Sequence, residues 1–233
     1  SENIVTISAV SRGLFVTGTD TGVGKSLIAC ALLHAFAGKG RRAVGMKPVA
    51  AGAELKDGIW VNDDVEALIA ASNVQAPREW VNPYCFAPPI APHIAAEESK
   101  NLIKNIYLRN CFERLRGVAD VVVVEGAGGF LVPLNESETF ADLAVAIRLP
   151  VILVVGMRLG CLSHALLTAE AIRSRGLTLA GWVANHIDPE MPRADENVAA
   201  LVARLQAPLL ARVPYSSAVP DAVHIAKLLM LPE

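Results

Sequence analysis

Lys25 and Ser26 close the segment GTDTGVGKS, residues 18–26, and a Gly-Lys-Ser ending at the mouth of a helix is phosphate chemistry. The glycines at 18, 22 and 24 let backbone amides turn toward an anion, and the following helix adds the positive end of its dipole. Lys25 supplies a point charge, and Ser26 offers its hydroxyl to Mg²⁺. The general pattern has four residues between the first glycine and the Gly-Lys pair, whereas five lie between Gly18 and Gly24. Thr21, Gly22 and Val23 therefore sit in a lengthened loop. A metal on phosphate needs hard oxygen ligands, and Glu125, at the end of the run VVVV (121–124), is the candidate. The GAGG that follows, with Gly128, lets backbone approach a ligand closely. Asp63 or Asp64 could complete the metal shell, and either could equally cap a helix. Lys47, in GMKPVAAG, offers a second cation to a phosphoryl group in transfer. At the start of another helix, GCLSH (160–164) could bind an anion through the amides of Gly160, Cys161 and Leu162 and the Ser163 hydroxyl. An ordinary helix cap at Ser163 is compatible with that role.

These residues act together only if the fold brings them to one edge. Short apolar runs alternate with amphipathic ones, which predicts an α/β fold: one doubly wound, mostly parallel sheet flanked by helices. Strands are expected at 13–18, 41–48, 120–126, 150–156, 177–185 and 207–214. Helices are expected at 25–40, 61–72, about 99–116, 140–148, 162–175, 194–205 and from Asp221, with Asn62 or Asp63 as an N-cap. Between Gln75 and His93 five prolines interrupt regular structure, predicting a long ordered loop or a substrate-side excursion. In an open parallel sheet ligands bind beyond the carboxyl ends of the strands. There the chain places GTDTGVGKS, Lys47, Glu125 and Asn185. With neither repeats nor low-complexity linkers, the expected organisation is an extension at 1–12 and a single domain at 13–233.

Composition narrows the function classes. Of 233 residues 53% are hydrophobic but only 5% aromatic, which suits a Val/Ile/Leu/Ala core of buried parallel strands. A net charge of -2 gives no basic field for nucleic acid. The longest apolar runs fall short of the roughly 18 residues that span a bilayer, so no membrane partner is expected. The segment SENIVTISAV has no basic region followed by a long apolar stretch, and a cytoplasmic enzyme is the expectation. Cysteines at 30, 85, 111 and 161 form no C-x-x-C pair and have no histidines at metal spacing, predicting neither disulfides nor zinc.

Taken in order, GTDTGVGKS, MKPVAAG, VEGAGGFLVPL (124–134), PVILVVGMRLGCLSHALLT (150–168) and GLTLAGWVANHI (176–187) closely resemble the dethiobiotin synthetases. That family is a branch of the P-loop NTPases with the longer loop, related in fold to plasmid-partition ATPases and the nitrogenase iron protein. The resemblance implies ring closure of 7,8-diaminononanoate with CO₂ to dethiobiotin, ADP and phosphate, with ATP as co-substrate and Mg²⁺ as cofactor. It implies that Lys25 holds the β- and γ-phosphates within a loop of Gly22, Val23, Gly24 and Ser26. Lys47 would bind the carbamate and the moving phosphoryl group, and Thr21 would lie between phosphate and substrate. Ser26, Asp64 and Glu125 would be the Mg²⁺ ligands. Asn185 would read adenine, with Pro214 and Tyr215 lining the base pocket. Ala51 and Gly128 would face the diamine, and Gly160, Cys161, Leu162 and Ser163 of a second subunit would hold its carboxylate, making the enzyme a homodimer. Some members carry an acidic residue at the position of Gly22 and a serine at that of Ala51, so diamine positioning is where this chain departs from them. His93, in APHIAA, matches a Pro-His of the family beside the substrate loop.

Two other classes share the loop style. A partition or assembly ATPase usually has an additional lysine early in the loop, and GTDTGVGKS has none. An amidating synthetase of corrinoid or CTP synthesis needs a glutaminase domain or partner.

Overall fold

In the computed structural model the described residues are 12–232, so the expected extension at 1–12 lies outside them apart from Arg12. The chain order is β1 (Gly13–Gly18), α1 (Lys25–Gly38), β2 (Ala43–Met46), β3 (Val49–Ala51), β4 (Glu54–Lys56), β5 (Ile59–Val61) and α2 (Asp63–Ala71). There follow α3 (Arg78–Val81), β6 (Tyr84–Phe86), α4 (Pro92–Glu98), α5 (Asn105–Val118), β7 (Val121–Gly129) and α6 (Phe140–Ile147). The chain continues through β8 (Val151–Gly156), α7 (Cys161–Ser174), β9 (Leu179–Asn185), α8 (Ala194–Leu205), β10 (Leu209–Val213) and α9 (Ala222–Leu228). Six strands form one sheet in the order β10-β9-β8-β1-β7-β2, and each neighbouring pair is parallel. β1 lies inside the sheet between β7 and β8, so the loop that follows it emerges between two strands.

Both faces of the sheet are covered, as the continuous apolar runs require. Ile28, Leu32 and Leu33 of α1, Leu68 of α2 and Ile225 of α9 pack on one face with Leu14, Val16, Val123 and Val154. Leu108 and Phe112 of α5, Phe140 of α6, Ile172 of α7 and Leu201 of α8 cover the other, with Phe15, Val122, Val124 and Trp182. Burying each such side chain contributes roughly 1.5–3 kcal/mol, which holds the six carboxyl ends in fixed register.

Several boundaries differ from the sequence expectation. The helix expected over 99–116 starts late, as the single helix α5 from Asn105: residues 99–104 are not helical, and Lys100, at φ +53°, closes the end of α4 before them. The proline-rich stretch carries α3, the strand β6 and α4 instead of a loop throughout. Its prolines are accommodated at boundaries: Pro77 is the N-cap of α3, and Pro92 is the first residue of α4, where a missing N–H costs nothing. The expected strand 41–48 is shorter, because β3 turns away to pair in parallel with β6. An antiparallel hairpin, β4–β5, was not expected at all. Its turn is Asp57-Gly58, both at positive φ, the Asp-Gly pairing that favours tight hairpins.

Candidate active site

The carboxyl ends of β1, β2 and β7 open onto a cleft of about 730 Å³. Thr21, Gly22, Gly24, Lys25, Ser26, Lys47, Ala51, Asp64, Glu125 and Gly128 all line it. The sequence placed these residues on four separate segments; the fold brings them around one space.

The loop 18–26 leaves β1 and enters α1 through Gly24, which is at φ +94°. That conformation favours glycine, and a Cβ there would also lie 2.3 Å from Asn185 Nδ2. Asn185, at the end of β9, donates from Nδ2 to the Val23 carbonyl at 2.8 Å, so it buttresses the loop from behind. Val23 is buried under the loop and does not line the cleft. Lys25 Nζ donates to the Asp20 carbonyl at 3.2 Å. Burial, followed by repulsion from Lys47, holds the Lys25 ammonium below the usual lysine range despite three nearby acids.

Three segments meet at Glu125, which is 1% exposed. Its Oε1 accepts from Ser26 Oγ at 2.7 Å and from Lys47 Nζ at 2.8 Å. Lys47 Nζ also donates to Asp64 Oδ2 and to the Gly126 carbonyl, each at 3.3 Å. Burial opposes the Lys47 charge, but Glu125 and Asp64 outweigh it and raise its pKa above the ordinary lysine value. For Asp64, burial pushes upward, while Lys47, Ser26 and Lys25 together hold the carboxyl below the usual carboxylate range. The alternative left open by sequence, metal shell or helix cap, divides between neighbours: Asn62 caps α2, accepting from the Asp64 and Val65 amides, and Asp64 reaches the cleft. Asp63 does not line it.

This donor set fits Mg²⁺. Glu125 Oε2 is buried without a hydrogen-bond partner among the described residues, beside the Ser26 hydroxyl and the Asp64 carboxylate. Among the described residues no group of three or more His, Cys, Asp or Glu side chains could hold a metal by itself. Phosphate and water would have to complete the shell, which is the habit of Mg²⁺.

The remaining expected residues lie elsewhere. Pro214 and Tyr215 line a separate pocket of about 330 Å³ with His186, Asp195 and Arg212. Gly160, at φ +99°, is the N-cap of α7; Cys161 is buried, and Gly160 and Ser163 are exposed. None of residues 160–163 lines the cleft. Two residues, Asp20 and Arg158, escaped sequence reasoning. Asp20 accepts from the Thr21 amide at 2.7 Å and from Arg158 Nη2, so an ion pair fastens the phosphate-type loop to the β8–α7 turn. Pro89–Pro92 and Val132 supply the cleft's apolar wall.

A family model described as AAA domain matches residues 12–222. The ATP-dependent dethiobiotin synthetase BioD of Aromatoleum aromaticum is 57% identical over 221 residues, covering 95% of this chain and 98% of that protein. That of Nitrosospira multiformis is 58% identical, covering 88% and 89%. Among solved structures, a ParA family ATPase from Chlorobium tepidum superposes with a TM-score of 0.54 at 15% identity, covering 90% of this chain and 86% of that one. The septum site-determining protein MinD from Pyrococcus horikoshii, complexed with Mg-ADP, gives 0.55 at 16%, covering 92% and 86%. The last two likenesses show the P-loop NTPase-like fold. At more than half identity over nearly the whole length of its relatives, the chain belongs to the ATP-dependent dethiobiotin synthetase family.

Proposed function

We propose that the cleft closes the ureido ring of dethiobiotin from 7,8-diaminononanoate, CO₂ and ATP. The observation that carries this reading is the convergence of Lys25, Ser26, Lys47, Asp64 and Glu125 on one cleft wide enough for a triphosphate tail and a diamine head together. One amine adds to CO₂ and loses a proton, giving a carbamate. A carbamate oxygen takes the γ-phosphoryl group and ADP leaves. The second amine then attacks the carbonyl carbon, and phosphate departs as the ring closes. No protein nucleophile is needed, so positioning and charge neutralisation supply most of the acceleration.

In this reading the amides of Gly22, Val23, Gly24 and Ser26 and the Lys25 ammonium hold the β- and γ-phosphates. Lys47 neutralises the carbamate and the moving phosphoryl group, Thr21 stands between the two substrates, and Ala51 and Gly128 flank the diamine. Ser26, Asp64 and Glu125 would hold Mg²⁺, which neutralises phosphate charge. Asn185, Pro214 and Tyr215 would meet the adenine. The anion site at Gly160–Ser163 lies outside the cleft, which supports its service to a second copy of the chain and hence a homodimer. Residues 13–233 would act as one synthetase unit preceded by an extension, in the cytoplasm. Among the described residues no helix is long and apolar enough to cross a membrane. A partition or assembly ATPase is disfavoured, because the relatives above half identity are named synthetases while the ParA and MinD likenesses stop at 15–16% identity.

The test is conversion of 7,8-diaminononanoate, with ATP, Mg²⁺ and bicarbonate, to a product heavier by one carbonyl less two hydrogens, detected by mass spectrometry. ATP turnover stimulated by DNA or a protein partner, with no ureido product, would sink the reading.

A further inference from the structure

Lys47 raises a question that its proposed role does not answer. The ammonium that should meet carbamate and phosphoryl oxygens is instead held on the very carboxylates that would bind the metal. Its Nζ lies 2.8 Å from Glu125 Oε1 and 3.3 Å from Asp64 Oδ2. The Ser26 hydroxyl, the third donor of that set, is bonded to the same Glu125 oxygen.

The physical reason is plain. Glu125 is essentially inaccessible to water, and an unpaired buried carboxylate is strongly destabilising. The Lys25 ammonium bonds to the Asp20 carbonyl and acts on Glu125 only from beyond hydrogen-bond distance. Lys47 is the cation within hydrogen-bond distance of Glu125 in the ion pairs of the described residues. A divalent ion bonded to Glu125 and Asp64 would stand within a few ångströms of Lys47 Nζ, and like charges at that separation in a dehydrated site repel strongly. Both cannot stay. Lys47 also has somewhere to go, because its side chain already borders the cleft.

We propose that Lys47 is the resident counter-cation of Glu125 and Asp64 in the nucleotide-free protein, excluding free divalent metal until a metal–nucleotide complex displaces its ammonium toward the reacting phosphoryl group. Metal entry and delivery of the second lysine then become one exchange. A metal ion alone cannot force it, since it brings no anion to receive the ammonium; a metal–triphosphate does. The inference rests on the synthetase reading only for the identity of the incoming complex.

The experiment uses Mn²⁺ as a spectroscopic substitute for Mg²⁺, followed by electron paramagnetic resonance. Wild-type protein without nucleotide is expected to bind Mn²⁺ only weakly, and its melting temperature should not respond to Mg²⁺. Lys47→Met should bind Mn²⁺ without nucleotide about tenfold or more tightly than wild type, because the two carboxylates lose their competing cation. Its melting temperature should now rise with Mg²⁺, and adding Glu125→Gln should abolish the gain. Lys47→Gln serves if the methionine variant does not fold. Equal Mn²⁺ affinity in wild type and variant, or tight nucleotide-independent binding by wild type, would overturn the proposal. Neither readout needs the diamine or turnover, so absence of ureido product would count against the synthetase reading alone.

Discussion

Gly24 is the residue at which the loop is least forgiving: at φ +94° any side chain is strained, and a Cβ would meet Asn185 Nδ2 at 2.3 Å. Gly24→Ala is expected to cost about 1–3 kcal/mol in urea unfolding and to weaken nucleotide binding; wild-type stability would show that the loop relaxes freely. Gly22 is different, since none of the described residues lies within 4 Å of its would-be Cβ and its φ of +73° is what resists substitution. An acidic side chain at this position would thus have room in the cleft. Lys25→Ala and Lys47→Ala should each lower turnover by about 10²–10³-fold or more with near-wild-type circular dichroism, as expected for loss of a preorganised charge at a phosphoryl group. Retained turnover in either would remove that lysine from the chemistry. Cys30, whose thiol is pushed up to about 12 by burial and then by Glu125 and Asp64, should resist iodoacetamide at pH 7.5 in peptide mass spectrometry. At this scale the sequence was informative wherever chemistry demands a fixed residue type, as at Lys25, Ser26 and Glu125. It was silent on Asp20 with Arg158, because an ion pair across 138 positions leaves no local pattern.

The elements that mattered most to the site were legible from two signals: unbroken apolar strands and a glycine-rich exit from the first of them. Boundaries were less so where one residue decides them. Lys100 in a left-handed conformation closes the end of α4 and the chain is not helical again until Asn105, and nothing in residue type marks it. The Asp57-Gly58 hairpin did carry a signal, but strands of three residues are too short for alternation to be recognised. The Arg158–Asp20 pair links two elements, the β1–α1 loop and the β8–α7 turn. Its side chains are 41% and 46% exposed, so screening limits its worth to about 0–1 kcal/mol. Arg158→Met should therefore raise the KM for ATP several-fold, by up to about fivefold, leaving kcat nearly intact, and Arg158→Lys should restore most of it. An unchanged KM in Arg158→Met would show that Thr19, whose amide donates to the Val154 carbonyl at 3.0 Å and whose hydroxyl accepts from the Gly156 amide at 3.3 Å, holds the loop by itself.

On the scale of the whole molecule, an aliphatic core on both faces of a six-stranded parallel sheet follows from a chain that is rich in Val, Leu, Ile and Ala and poor in aromatics. Assembly is less legible, since a surface is a matter of which apolar residues remain uncovered. Leu159 and Leu167, 87% and 62% exposed, lie just before α7 and in its second turn, either side of the turn at Gly160–Ser163. If a second copy covers them, Leu167→Glu should shift the light-scattering mass toward the monomer and impair diamine turnover while ATP binding persists; an unchanged dimer would place the interface elsewhere. The central claim is that one cleft joins a carbamate to the γ-phosphoryl group of ATP and then expels it as phosphate. With ¹⁸O-labelled CO₂ in a single turnover faster than exchange with water, the released phosphate should carry one ¹⁸O atom; unlabelled phosphate accompanying the ureido product would contradict it.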